Sequence, residues 1–249
     1  MQKTEHELRR RFQELYTRAT DFKSLFCSDF LNIAEQQVLY AAVPPSGYVL
    51  VGGFESAERQ RAVFGTADMQ EALAVQPFAI LQIAPKSKKF AEALTHRDFL
   101  GSILALGIKR ELLGDIVLSK SIAYVCTVPK IAPFIVENLD RVRHTAVLVQ
   151  EVDHVPKEAL PTPTEDTVLA ASARLDALLA AVFHLSRKEA QTLVTSGKVF
   201  LNGREAQKGD CPVAADTIVS VRGKGRFTLC DVIGTSRKGK CRFSILRYQ

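Results

Sequence analysis

The chain has 249 residues, an apolar fraction of 47% and 24% charged residues, enough for one large core or two to three small ones. No apolar run approaches a membrane span, and Met1 leads into a charged segment rather than an apolar leader. No membrane-spanning helix is therefore expected, and a cytoplasmic protein is. The charge is unevenly placed. Thr167–Gln249 holds 14 Lys+Arg against 6 Asp+Glu, a net of +8, whereas the residues before it hold 19 basic and 21 acidic, a net of −2. A basic end on a near-neutral carrier is the footprint of a polyanion-binding module. The five cysteines (Cys27, Cys126, Cys211, Cys230 and Cys241) are odd in number, scattered and without a C-x-x-C pair. They argue against a zinc site and against a disulfide framework.

Residues 1–75 read as a mainly helical region. Leu8, Phe12, Leu15 and Ala19 line one side of a helix over residues 3–20, and Asn32 caps a second that Pro44-Pro45 stops. Tyr48–Val51 is a short strand closed by Gly52-Gly53, and Ser56–Phe64 is a further helical candidate. No chemistry is legible in this region.

Residues 76–155 alternate strands with helices. Phe78–Ala84 is a strand, and Thr95–Leu106 is a helix opened by a capping box of Thr95 with Asp98. Asp115–Ser119 and Ile122–Val128 are strands, Lys130–Leu139 is a helix and Thr145–Val152 a fourth strand. The order β-α-β-β-α-β predicts a ferredoxin-like, RNA-recognition-motif-like domain: an antiparallel sheet with two helices on one face. As an RNA platform it offers only Phe78 and Tyr124 and lacks the usual aromatic signature, so a docking or spacer role is preferred. Lys86, Lys88, Lys89 and the Lys109-Arg110 pair read as a solvated face. Pro156 opens a proline-rich linker over residues 156–166.

Residues 167–249 are organised around Ser172–Gly203. Leu175, Leu178, Leu179 and Val182 form the stripe of one helix. Ser186 and Glu189 form the capping box of a second, whose buried side is Ala190, Leu193 and Val194. Gly197 supplies the left-handed residue that ends it, Val199 and Leu201 alternate as a strand, and Asn202-Gly203 is a hairpin turn. Phe227–Ile233 and Cys241–Leu246 form a terminal hairpin that carries Arg237, Lys238, Lys240 and Arg242. The whole is an α+β protein.

The blocks RLDALL, SRKEAQTLVTSGKVFLNG and VRGKGRF, in that order and spacing, resemble the RNA-binding domain first described in small-subunit ribosomal protein S-four. The likeness covers residues 167–230. In that family two helices and the following hairpin present basic side chains to structured RNA. One departure is Ala215-Asp216 where the family usually has Gly-Asp, which puts the geometry of that turn in question. With GGFESAERQR at Gly52–Arg61 and THRDFLGSILALGIKRELLGDI at Thr95–Ile116, nearly the whole chain resembles the YlmH family. That resemblance implies a ribosome-associated protein, encoded beside cell-division genes in many bacteria and linked to quality control of stalled large subunits that still hold peptidyl-tRNA. The shorter heat-shock proteins of S-four type have a similar assignment.

The candidate RNA-binding residues are Arg174, Arg187, Lys188, Gln191, Lys198, Lys208, Arg222, Lys224 and Arg226. Arg187, Lys188 and Gln191 lie in the first turns of the second helix, where the backbone dipole favours an anion. Arg222, Lys224 and Arg226 surround two glycines that let a phosphate approach. Arg174 has Asp176 two residues away and can pair within the fold; Asp176 reads as structural, and His184 as a packing or exposed residue. About five phosphate contacts would make affinity fall roughly a hundredfold between 50 and 200 mM salt. Phosphates position without reading sequence, so selectivity would come from RNA shape.

No catalytic constellation accompanies this set. The one Arg-Leu-Asp tripeptide lies inside the binding module, unlike a pseudouridine synthase aspartate. The glycine pairs do not follow a first strand as a methyltransferase loop would, and Lys86-Ser87-Lys88-Lys89 only echoes a synthetase loop. The expectation is a non-catalytic, monomeric RNA-binding factor without cofactor, metal, membrane or small-molecule substrate. Its partner would be rRNA, foremost of the large subunit, with tRNA as a second candidate. The competing readings are an RNA-modifying enzyme, such as a pseudouridine synthase-like protein, and a division-linked scaffold.

Overall fold

A computed structural model describes residues 4–54, 57–87, 92–160, 162–236 and 239–248. The expected basic residues Lys88, Lys89, Arg237 and Lys238 lie outside them. The chain forms two compact units, Met1–Leu160 and Pro161–Gln249, of mixed helix and antiparallel sheet.

The first unit opens with α1 (Glu5–Phe22), capped by Thr4 with Glu7, which buries Leu8, Phe12, Leu15 and Ala19. There follow β1 (Phe26–Leu31), α2 (Ile33–Ala42, capped by Asn32 with Glu35), β2 (Tyr48–Val51), β3 (Gln60–Phe64) and α3 (Met69–Ala74). The strands pair antiparallel in the order β1-β3-β2. The helix expected over Ser56–Phe64 is therefore corrected: Gln60–Phe64 is the central strand of this sheet, and Ser56 lies outside the described residues. The segment misleads because both faces of β3 are covered, leaving no period-two alternation. Arg61, Ala62, Val63 and Phe64 are all buried. Arg61 is accommodated because its guanidinium donates to the carbonyls of Ser28 and Pro77. The N-terminal region is thus helical only in part.

Next come β4 (Ala79–Pro85), α4 (His96–Ala105), β5 (Leu113–Ser119), β6 (Ile122–Thr127), α5 (Ala132–Asn138), β7 (Arg141–Val142) and β8 (Thr145–Val152). They make a five-stranded antiparallel sheet in the order β5-β6-β4-β8-β7. One face packs Leu81, Ile83, Val125 and Val149 against Phe99 and Ile103 of α4 and Ile135 of α5. The other face carries Ile80, Tyr124 and Cys126, and it is covered by Phe30 of β1, Phe54, Val155 and Ala159. Tyr124 is buried under this layer, so no base can stack on it. Gly114 allows the close approach: a Cβ there would meet the Phe30 ring at 2.7 Å.

The second unit is β9 (Thr164–Ala170), α6 (Leu175–Val182), α7 (Arg187–Thr195), β10 (Val199–Leu201), β11 (Arg204–Glu205), β12 (Thr217–Val221), β13 (Gly225–Thr235) and β14 (Cys241–Tyr248). The sheet order is β11-β10-β12-β13-β14-β9. β9 starts within the stretch expected as linker. Only Val168 and Ala170 of it are buried, so it has little apolar pattern, and its pairing is set by β14. The core joins Leu175, Leu178, Leu179, Val182, Ala190 and Val194 of the helices to Val199, Val219, Val221, Phe227, Phe243 and Ile245 of the sheet. Phe183 meets Phe227 edge-on at 6.0 Å.

Candidate nucleic-acid interface

The two helices of the second unit are fixed at both ends by local chemistry. Ser186 Oγ accepts from Glu189 N at 3.2 Å and the Glu189 carboxylate accepts from Ser186 N at 2.7 Å, so the front of α7 is closed. These bonds, first the one from the Ser186 backbone, hold the Glu189 carboxyl below its ordinary range, with Lys224 adding a smaller pull. Gly197 takes φ +65° just past the end of α7, and His184, exposed, takes φ 54° where α6 turns into α7. Replacing Ser186 with Ala should lower unfolding stability by about 1 kcal/mol in urea titration, because the backbone donor it satisfies is left to solvent.

Around this frame the exposed charges gather in three groups. The first surrounds Asp176, whose carboxylate is only 8% exposed. It accepts Arg174 Nε at 3.2 Å and Nη2 at 3.0 Å in a two-pronged pair, and Arg187 Nη1 at 3.4 Å. The backbone N–H groups of Leu175 and Asp176 donate to Cys211 O and Gly209 O at 3.0 and 2.7 Å. These bonds hold the loop carrying Lys208 at the head of α6. Gln191 lies against Gly209, leaving no space there for a Cβ. Arg174, Arg187, Gln191 and the Lys208 loop thus form one patch.

The second group is the first turn of α7, where Lys188 is exposed and Lys224, at the β12–β13 turn, is close enough to act on Glu189. In the third group Lys198 O accepts Arg222 N at 2.9 Å, and the Arg222 guanidinium lies 4.7 Å from the centre of the Phe200 ring.

Arg226 differs from the rest. It neighbours the core residue Phe227 on β13, so its side chain leaves the sheet on the face away from α6 and α7. There it lies 4.5 Å over the Tyr248 ring, half-buried, and burial lowers its pKa. Arg222 follows the core residue Val221 and shares that face. The nine residues therefore divide between a helix face and a sheet face.

Two readings are refined. Arg187, expected as a candidate RNA contact, also steadies the buried Asp176. At Ala215-Asp216 the left-handed conformation falls on Asp216 (φ 59°) and not on Ala215. Aspartate adopts it more readily than most residues, and Asp216 N donates to Leu229 O at 2.7 Å, so alanine causes no conflict.

The first unit holds a polar cluster that periodicity did not reveal. Arg59 donates to Phe30 O at 2.9 Å and Leu113 O at 3.0 Å, and Arg110 donates to Leu113 O at 2.7 Å and Gly114 O at 3.1 Å. Asp115 accepts the backbone N–H groups of Glu58 and Arg59. Burial, then the neighbouring Arg59, lowers Arg110 to about 10. Arg110 is thus a half-buried tie and not the solvated residue expected. A cavity of about 250 Å³ beside it is lined by Arg11, Arg59 and Arg110 and equally by Asp29, Glu35 and Glu111. That balance gives it no electrostatic preference for an anion.

Family comparisons agree with this division. The model for the RNA-binding domain in YlmH matches residues 77–155, and that for the S4 domain matches residues 173–218. Fold and site together define an RNA-binding protein with a C-terminal S4 domain. A curated relative, "Ribosome-associated protein quality control protein P2" of Bacillus subtilis (strain 168), is 30% identical over 230 residues, 88% of this chain and 86% of that protein. The chain belongs to the YlmH family. A solved structure, "Cell division protein ylmH from Streptococcus pneumoniae", is 23% identical with a TM-score of 0.48, over 61% of this chain and 94% of that one.

Proposed function

We propose that this protein is a non-catalytic, ribosome-associated factor in translation quality control that binds structured rRNA of the large subunit beside the peptidyl-tRNA held there. The observation that carries the reading is the placement of exposed cations on and around the capped front of α7: Lys188, Lys224, and Arg187 held by Asp176. A rigid helix front with several cations engages phosphates at little entropic cost, and the helix dipole adds to it. The net +8 of residues 167–249 supports the same choice, and the printed name of the Bacillus relative supports the ribosome as its setting.

In this reading Arg174, Arg187, Lys188, Gln191, Lys198 and Lys208 face folded RNA, with Arg222, Lys224 and Arg226 extending the contact around the sheet. Residues 76–155 act as a ferredoxin-like spacer. The order β5-β6-β4-β8, with α4 and α5 on one face, supports that topology. The domain plan is 1–75, 76–155, 156–166 and 167–249, in a cytoplasmic monomer.

Co-sedimentation of the purified chain with isolated subunits, followed by RNA crosslinking and sequencing, tests the proposal. Recovery with large subunits and crosslinks in their rRNA are expected; crosslinks confined to messenger RNA would sink it. Mass spectrometry of rRNA nucleosides with and without the protein tests the non-catalytic part. A modification that vanishes with the protein would replace it by the enzyme reading.

A further inference from the structure

We propose that the sheet face of the second unit turned away from α6 and α7 is a stacking platform for unpaired RNA nucleotides, built on Phe200 with Arg222 and on Tyr248 with Arg226. The proposal rests on the RNA-binding reading of this unit and adds the kind of RNA that its second face takes.

The register assembles the platform. Phe200 pairs with Ser220, Ser220 with Arg226 and Arg226 with Tyr248, so the four residues form one row across β10, β12, β13 and β14. Directly paired residues share a face, and neighbouring strands lie about 4.8 Å apart, so the two rings stand roughly 14 Å apart along the row. The neighbours Val199, Val221 and Phe227 point into the helix-packed core, which fixes this row on the opposite side. A second row, Ile218–Thr228–Leu246, runs beside it. Each row meets a carboxylate only at its edge, Glu205 opposite Phe200 and Glu165 opposite Leu246, and none stands between those ends.

Chemistry then narrows the occupant. Each ring carries a guanidinium, at 4.7 Å on Phe200 and 4.5 Å on Tyr248. Stacked cation and ring make a flat surface with a positive charge built in, as suits a base attached to a phosphate. Ser220 between them offers a hydroxyl, and the Tyr248 hydroxyl lies 3.3 Å from that of Thr228, which holds the ring in place. A duplex hides the faces of its bases, whereas an unpaired segment offers them to such a platform. The helix face meets backbone phosphates, and this face takes bases splayed from an adjacent loop or end. Sequence preference would be weak, since every base has a flat face.

The test compares a hairpin RNA with a blunt end and the same hairpin carrying a short unpaired tail, by fluorescence anisotropy with the full chain. The tail should tighten binding about tenfold, the size of one good base–aromatic stack. The double variant Phe200→Leu with Tyr248→Leu keeps apolar bulk but loses the rings. It should lose the gain while holding blunt-hairpin affinity within about twofold and melting as the parent does. Tyr248→Phe, which keeps the ring, should keep the gain. The platform is overturned if the tail adds nothing while the blunt hairpin binds well, or if the double variant retains the gain. Absence of binding to either RNA would overturn the RNA-binding reading itself, and the platform with it.

Discussion

Exchanging Lys188→Glu together with Lys224→Gln lowers affinity for structured rRNA about fiftyfold at 100 mM salt, with the melting temperature nearly unchanged. Each phosphate contact contributes about 0.9 to the slope of log affinity against log salt. Two lost contacts therefore flatten that slope by nearly two units and account for the loss. Stability is spared for reasons visible in the fold. Lys188 is exposed in the first turn of α7, where a glutamate is favoured by the backbone dipole. Lys224 is exposed on a turn, and neutralising it removes only a weak attraction for Glu189. Arg187 is left in place because truncating it would disturb Asp176, mixing lost binding with altered structure. Filter binding across a salt series reads both quantities. An unchanged slope would mean that these lysines do not meet phosphates, and the interface would have to lie elsewhere.

Much of the second unit was legible because its signals are local. The Ser186–Glu189 box, the glycine that ends α7 and the Asn202-Gly203 turn each act within a few residues, and the structure places all three as read. The stripe Leu175, Leu178, Leu179 and Val182 holds the large apolar side chains of α6, so its period survives in the sequence although Asp176 and Ala177 are buried too. Where the reading failed, the determinant was distant in the chain. Gln60–Phe64 looks helical by composition, yet it is a strand because β1 and β2 flank it. Arg110 looks like half of a surface pair, but it is half-buried, tied to the carbonyls of Leu113 and Gly114 and set beside Arg59 from a remote segment. The division of the basic residues between two faces also depended on register, which sets Arg222 and Arg226 opposite the helices. The alternation of core Val199 with outward Phe200 carried that signal, but an isolated outward aromatic has no meaning until its cross-strand neighbours are known.

Asp115→Ala should destabilise the first unit by about 3–5 kcal/mol, a large part of the roughly 5–15 kcal/mol that holds a typical domain folded. The carboxylate accepts Glu58 N at 2.5 Å and Arg59 N at 3.3 Å, and it offsets the charge of Arg59 and Arg110, both half-buried or deeper. Removing it strands two backbone donors and two guanidiniums that are committed to the carbonyls of Phe30, Leu113 and Gly114. Those carbonyls belong to β1 and to the start of β5, so the tie between the two sheets of the unit loosens. A separate, earlier transition in urea is expected, with faster hydrogen exchange in β1, β3 and β5 and unchanged exchange in the second unit. The pH dependence adds an independent reading. Burial raises the Asp115 pKa despite its donors and the nearby arginines. On acidification the folded chain therefore takes up this proton before the unfolded chain does. Asp115 contributes stability that grows as pH falls through its raised folded value and levels off below the ordinary carboxylate pKa. Asp115→Asn, which cannot titrate, should remove that rise from the stability curve. If the rise persists in the asparagine variant, another group supplies it; if the alanine variant melts as the parent does, the cluster does not tie the sheets together.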